Sequence, residues 1–386
     1  MAELKKLQEN GTDIYPVTLE DVVFDTDGNS ISTKYQTKTD NTLNTTDKTI
    51  VGAINELFQS GANVKQNLVD TLVAKGVNVS TSDDFNTVIN GINNIATTVS
   101  MPTWIKNKWI QSTNIKTATI NAGTVGYGDY IYIIGGQTGG SYDDIVSTVL
   151  RFNTKTGAFT TMASIPHTCS PKHSTVIINN IIYVMYSDDI YCYNISSNSW
   201  STIADTPRYF GSFSACAINK IIYLTGGYQS NAPLGENFSY NITTNTVTTL
   251  ANMPTASVDF PSVTVNNKIY CIGGEVESYY TKANQCYDPS TNTWSSKTDM
   301  PSDKYDHVAE VINNKIYVIT GGNINSSCQT TNYCYDPSTD TWTTKAAIPQ
   351  GKHSASSAVS NGWIYVVGGY APNGAVFYKT NYCYIP

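Results

Sequence analysis

At 386 residues the chain is longer than one ordinary domain, and its 23 Lys/Arg against 30 Asp/Glu leave a net charge of −7. That acidic balance speaks against nucleic acid or an anionic membrane surface as partner. Charged residues make up 14% of the chain and its apolar runs are short, so no segment is expected to insert in a membrane.

The opening Met1-Ala-Glu-Leu-Lys-Lys has no apolar core, so no secretory signal is expected. Residues 1–100 hold 7 Lys/Arg against 13 Asp/Glu, and the remainder holds 16 against 17, so the chain divides near residue 100. Residues 1–45 carry short β-like runs, Ile14-Tyr-Pro-Val-Thr and Val22-Val-Phe, around an Asp-Gly-Asn turn, followed by a polar stretch. Residues 46–100 predict three short helices. Ile50, Val51, Ile54, Leu57 and Phe58 share one stripe, with Asp47 as N-cap and Gly61 as stop. Val64, Leu68, Leu72 and Val73 mark a second helix over 63–74, and Phe85, Val88, Ile89 and Ile92 a third over 83–95. Helices this short are marginal alone. They must pack on each other or on copies from other chains, and the reading favoured here is a homomeric bundle.

From about Trp104 to the end the chain repeats. Ile-Tyr followed by Gly-Gly recurs at Ile131-Tyr132…Gly135-Gly136, Ile222-Tyr223…Gly226-Gly227, Ile269-Tyr270…Gly273-Gly274, Ile316-Tyr317…Gly321-Gly322 and Ile364-Tyr365…Gly368-Gly369. A sixth copy, Ile182-Tyr183, lacks the glycines. The period of about 40–50 residues suits four strands and their turns. A second aromatic follows in each copy (Phe152, Tyr193, Tyr240, Tyr287, Tyr335), and seven residues later stands Phe159, Trp200, Val247, Trp294 or Trp342. That last position precedes the next tagged tyrosine by 23 or 24 residues, and counting back 23 from Tyr132 lands on Trp109. At the other end the last copy stops two residues after Tyr384, one strand short. The segment around Trp109 is therefore predicted to supply that strand and close a ring of six, removing the free edges. Cys192, Cys286, Cys334 and Cys383 each precede an aligned tyrosine. One repeat position in four different copies puts them too far apart to pair, so they read as small buried apolar residues.

These tags resemble the kelch repeat, over residues 104–386. The resemblance implies a mainly β chain whose C-terminal part is a six-bladed kelch-type β-propeller, preceded by a small α+β attachment and helical oligomerisation module. A second resemblance lies upstream. Leu43-Asn-Thr-Thr-Asp-Lys-Thr-Ile-Val-Gly-Ala-Ile-Asn-Glu-Leu57, with Tyr15-Pro-Val-Thr-Leu-Glu-Asp-Val before it, is similar to segments of tail-fibre, head-fibre and baseplate proteins of phages that infect Gram-positive bacteria. It implies a fibre or receptor-binding protein of a virion or phage-tail-like particle, a homotrimer that meets other tail or baseplate proteins through its N-terminus.

No catalytic constellation, cofactor motif or metal-ligand spacing is present in the sequence. The aspartate-box turns of a six-bladed sialidase are missing, and the repeats carry only Arg151 and Arg208 for a carboxylate substrate. A copper oxidase, or a sugar epimerase or isomerase built on a kelch propeller, remains an alternative, as does a purely structural decoration protein. The connections between second and third strands and between fourth and first strands are long, vary, and emerge on one face. The former hold Tyr142, Tyr186, Tyr228, Tyr279, Tyr280 and Tyr370; the latter hold Arg208, Tyr209, Phe210, Asp259, Phe260, Lys304, Tyr305, His307 and His353. Rings with sparse polar groups suit a host-surface glycan or another receptor. Each ring could equally cover the loop beneath it, and His173 and His307 read as loop hydrogen-bonders rather than bases.

Overall fold

The computed structural model describes residues 7–9, 12–14, 106–139, 144–166, 174–186, 189–205, 211–277, 279–324, 328–371 and 376–386. It divides into two units, Met1–Thr103 and Trp104–Pro386. In the first, Leu7–Glu9 pairs antiparallel with Thr12–Ile14. The three helices expected over 46–100 lie outside the described residues.

Among the described residues the second unit holds six antiparallel four-stranded sheets, numbered here as blades I to VI from the one that begins at Gly123, and two short two-stranded ribbons in its connections. Their inner strands are Gly123–Tyr127, Ser174–Ile178, Ser214–Ile218, Ser262–Val265, Val308–Ile312 and Ser356–Ser360. Each inner strand neighbours the next, and blade VI neighbours blade I, so the ring is closed. The mainly β, six-bladed architecture is as the repeats predict, and the described residues contain no helix.

Blade VI closes the ring in the way the spacing predicts. Lys108–Ser112 pairs with the last strand, Asn381–Ile385, with Trp109 opposite Tyr384. The joint repeats the chemistry of the other blades. The rings of Trp109 and Tyr384 lie 5.0 Å apart, as do those of Trp200 and Tyr193. The Trp109 indole donates to the Ala346 carbonyl at 2.7 Å, and Trp200, Trp294 and Trp342 each reach the preceding blade's backbone at 2.8 Å. The Tyr384 hydroxyl donates to Asn107, whose Oδ1 also accepts the Ala346 N–H. Asn198, Asn292 and Asp340 hold the same place in blades II, IV and V. Each takes a left-handed turn, φ 52–55°, which Asn and Asp tolerate better than other side-chain-bearing residues. One indole and one short polar side chain thus fasten each of these blades to the one before.

Blade V departs from the other glycine-paired blades. The left-handed pair after its second strand is Thr320 and Gly321, not Gly321-Gly322. A β-branched residue at φ 58° is costly and persists only where its surroundings fix it. Thr320 is fully buried, and its Oγ1 accepts the Lys352 N–H while facing the carbonyls of Lys352 and Gln329. Thr320→Val keeps the shape but takes the acceptor from the Lys352 N–H and one donor from the Lys352 carbonyl. A loss of about 2–4 kcal/mol in urea unfolding is expected. Unchanged stability would show that the hydroxyl does not hold the turn.

The seven described cysteines are free, and Cys192, Cys286, Cys334 and Cys383 are buried at the third-strand position. Burial pushes the Cys192 and Cys383 thiols up to about 12. They pack as apolar residues and stay protonated.

Candidate functional site

The second-to-third and fourth-to-first connections meet pairwise through short bridges: Ile120 with Gln137, Gly211 with Tyr228, Val258 with Glu275, Tyr305 with Gly322 and His353 with Tyr370. The residue after each fourth-to-first bridge turns left-handed. These are Asn121, Ser212, Asp259, Asp306 and Ser354, with φ between 47° and 58°. The Asn121 N–H donates to Ser354, Ser354 to Asp306 and Asp306 to Asp259, all through backbone carbonyls. A polar collar thus runs around the central axis from blade IV through V and VI to blade I, on the face from which the variable loops emerge.

Over blades IV to VI the same connections assemble an aromatic arc. Tyr280 stacks on Tyr305 with centroids 4.0 Å apart and planes 14° from parallel. Tyr305 then meets His353 at 5.1 Å, His353 stacks on Tyr370 at 5.4 Å, and Tyr370 meets Phe377 at 6.2 Å. Tyr279 stands beside it, 54% exposed. Gly322 permits the arc, because a Cβ there would run into the rings of His353 and Tyr305. The extra glycine of blade V is thus explained by ring packing rather than by a left-handed turn. Burial lowers the His353 pKa, against an opposing pull from Asp306, so the imidazole serves as a neutral ring.

The structure places the sequence-predicted residues differently. Tyr280, Tyr305, His353 and Tyr370 come together in the arc. Tyr228 is exposed and stands apart from it, bridging to Gly211, while Asp259 sits in the collar. Others lie inside instead of on the face. Phe260 is buried against Gly226 and Gly274, and His307 is 6% exposed. Lys304 is fully buried; its Nζ donates to the Thr320 carbonyl and lies over the Tyr333 ring. Lys352 is its counterpart in the next blade, donating to the Thr380 carbonyl under Tyr382 and Tyr378. Tyr186 is placed at the end of the second strand of blade II, Ile181–Tyr186, paired with Asp189, and not in a long connection. Tyr142, Arg208, Tyr209, Phe210 and His173 lie outside the described residues.

Three features were not foreseen: Phe377, the collar, and Glu310 on the inner strand of blade V. The collar has a faint signal, a small polar residue two places before the inner strands of blades I, III, V and VI. Glu310 has a plainer one, a carboxylate in a segment otherwise apolar, Val308-Ala-Glu-Val-Ile. Among the described residues no group of three or more His, Cys, Asp or Glu gathers as a metal site would.

A closed six-bladed ring with glycine-paired second strands, Tyr–Trp pairs within blades whose indoles bond to the blade before, and a loop face over the axis defines a kelch-type propeller. The chain belongs to the kelch-repeat family described as the KLHDC2/KLHL20/DRC7 Kelch-repeats domain, which matches residues 124–299 and 212–385. Kelch repeat and BTB domain-containing protein 2 of Homo sapiens is 34% identical over 125 residues, 31% of this chain and 19% of that protein. Kelch-like protein 23 of Pongo abelii is 29% identical over 128 residues, 32% of this chain and 22% of that protein. The chain therefore aligns with only about a fifth of the length of these relatives. A solved structure described as "Structure of YjhT" matches with a TM-score of 0.62 at 15% identity, covering 70% of this chain and 95% of that one. That likeness is one of fold.

Proposed function

We propose that this protein is a binding module whose propeller captures a surface-displayed glycan or protein on the loop face of blades IV to VI. The observation that carries the reading is the arc from Tyr280 to Phe377. It is a contiguous aromatic stack with few polar groups, whose Tyr280, Tyr305, Tyr370 and Phe377 are half-buried and are tied together by the buried His353 ring, drawn from connections whose length varies between blades. Rings of this kind cover sugar faces or apolar side chains, while hydroxyls such as that of Tyr305 fix orientation. On this reading the protein is not an enzyme and needs no cofactor.

The fuller form of the proposal makes it the fibre or receptor-binding protein of a phage or phage-tail-like particle. Residues 1–45 would attach it to tail or baseplate proteins, and 46–100 would assemble a homotrimer. The support is the resemblance of residues 15–57 to such fibres. Three weak sites on one trimer would bind a cell surface far more tightly than one, through effective concentration.

Tyr305 sits between Tyr280 and His353, so Tyr305→Ala removes the centre of the arc. Adsorption of labelled protein to host cells is expected to fall by about tenfold or more, one stacked ring being worth about 1–2 kcal/mol. Unchanged adsorption, with an unchanged melting curve, would remove the arc as the binding surface. Mass photometry separately tests the particle reading, which a purely monomeric full chain would overturn.

A further inference from the structure

Two adjoining cavities lie along the propeller axis. The larger, about 440 Å³, is walled by the inner strands of all six blades. The smaller, about 190 Å³, lies among the collar residues Asn121, Ser212, Asp259, Asp306 and Ser354. Most hydroxyls on the wall stitch neighbouring blades together. Ser174 donates to the Phe213 carbonyl, Ser214 to Ser262, Ser356 to the Ala122 carbonyl and Thr124 to the Ser357 carbonyl.

Three groups are left over. Glu310 accepts one hydrogen bond, from Ser357 Oγ at 2.8 Å, and no other donor to it is found among the described residues. Thr175 Oγ1 is shielded from solvent and has no partner. Thr175 is in blade II and Glu310 in blade V, which face each other across a ring of six. His307 lines both cavities, and neither of its ring nitrogens makes a hydrogen bond of acceptable geometry. The charged residues on the described walls are Glu310, Asp259 and Asp306; no Lys or Arg is among them.

We propose that the axial cavity is a binding site for a small organic cation, a primary ammonium on a hydroxylated body, with the Glu310 carboxylate as its counter-ion. A carboxylate half-buried in a narrow channel is only partly balanced by water, and an anion beside it would be repelled. A neutral polyol would leave that charge unbalanced. An ammonium neutralises it and brings three donors to a wall that offers the second Glu310 oxygen and Thr175 Oγ1. Burial raises the Glu310 pKa to about 7 against the pull of the Ser357 hydrogen bond, as expected of a carboxyl short of a partner. Asp259 and Asp306 at the collar add a potential that draws cations inward. His307 does not oppose it: burial, then the charge of Lys304, hold its pKa down to about 3, against a smaller pull from the Ile272 backbone. The cavity volume suits a sugar-sized molecule.

Glucamine, sorbitol and gluconate share one polyol body and differ in a terminal ammonium, hydroxyl or carboxylate. Titrated into the full chain by calorimetry at about pH 8, glucamine is expected to bind at least about tenfold more tightly than sorbitol, and gluconate least. Glu310→Gln should bring glucamine to the level of sorbitol. Equal affinities for the three, glucamine binding that survives Glu310→Gln, or no binding of glucamine overturns the proposal. If that variant fails to fold, the wild-type chain decides. In two buffers of different ionisation enthalpy, glucamine binding at about pH 6 should release a proton that is no longer released at about pH 8.5. No released proton at the lower pH also overturns it. The result is independent of whether the loop face binds cells.

Discussion

Replacing Trp109 by alanine is expected to destabilise the propeller by about 2–4 kcal/mol, although Trp109 lies 275 residues in sequence from its strand partner Tyr384. The indole is half-buried, packs on the Tyr384 ring at 5.0 Å and donates across the blade boundary to Ala346 at 2.7 Å. Its loss leaves a cavity between blades V and VI and takes from the Ala346 carbonyl its nearer donor, leaving only the Asn332 side-chain amide at 3.3 Å. Deleting residues 106–112 should do more, because it exposes Asn381–Ile385 as a bare edge and releases the Tyr384 hydroxyl and the Ala346 N–H from Asn107. Urea unfolding measures the first effect, and size-exclusion chromatography of the truncated chain the second, as aggregation. A chain starting at residue 113 that unfolds at the wild-type midpoint would show that five complete blades hold the ring without the closing strand.

Stability should rise with pH from about 7 to about 8.5, the same sign that a protein held by carboxylate ion pairs shows at its acid limb but displaced to alkaline pH; above that the buried thiols, whose pKa folding raises, pull the other way. The cause is the pair Lys304 and Lys352, both fully buried and each bonded to one carbonyl. Burial lowers each pKa from 10.5 to about 7; for Lys304 a pull from Asp303 opposes this. The unfolded chain holds both protons to about pH 10, while the folded chain sheds them near neutrality. Unfolding therefore takes up protons between those limits, and raising the pH favours the folded state. Each lysine adds at most about 1.4 kcal/mol per pH unit, less where water relaxes around it. Glu310, with its raised pKa, has the opposite slope only below about pH 7. Lys304→Met with Lys352→Met should flatten the profile and raise stability at neutral pH, since an apolar chain of similar length carries no desolvation cost. A flat or falling wild-type profile over that window would mean that the ammonium groups are compensated inside.

The repeat made most of the propeller legible. Tyr, Trp and Gly recur because every blade has the same hydrogen-bond geometry and the same gap to its neighbour, so each copy predicts the others. Trp109 could be found by counting for that reason. The Gly321-Gly322 pair stands one place further from its Ile-Tyr tag than in the other copies, and spacing alone does not say why. The residue one place earlier, Thr320, takes the left-handed position, and only the neighbouring blade's Lys352 backbone shows why threonine is tolerated there.

The candidate site was legible in kind and not in detail. The connections announced themselves by length and by their tyrosines. Whether a given side chain faces outward or inward depends on the loop's path, which no periodicity records. Lys304 and Tyr305 are adjacent, yet one is sealed in the core and the other joins a stacked arc. Phe377 belongs to that arc only because the blade VI connection folds back to bridge Tyr370.

The sequence by itself determined the six-fold repeat, the closing strand and the buried cysteines, because each follows from spacing that local hydrogen bonding and strand alternation impose. The tertiary structure alone decided the aromatic arc, the collar and the solitary carboxylate in the axial cavity. Those are meetings between residues of different blades, and ring closure, not chain order, sets which of them meet.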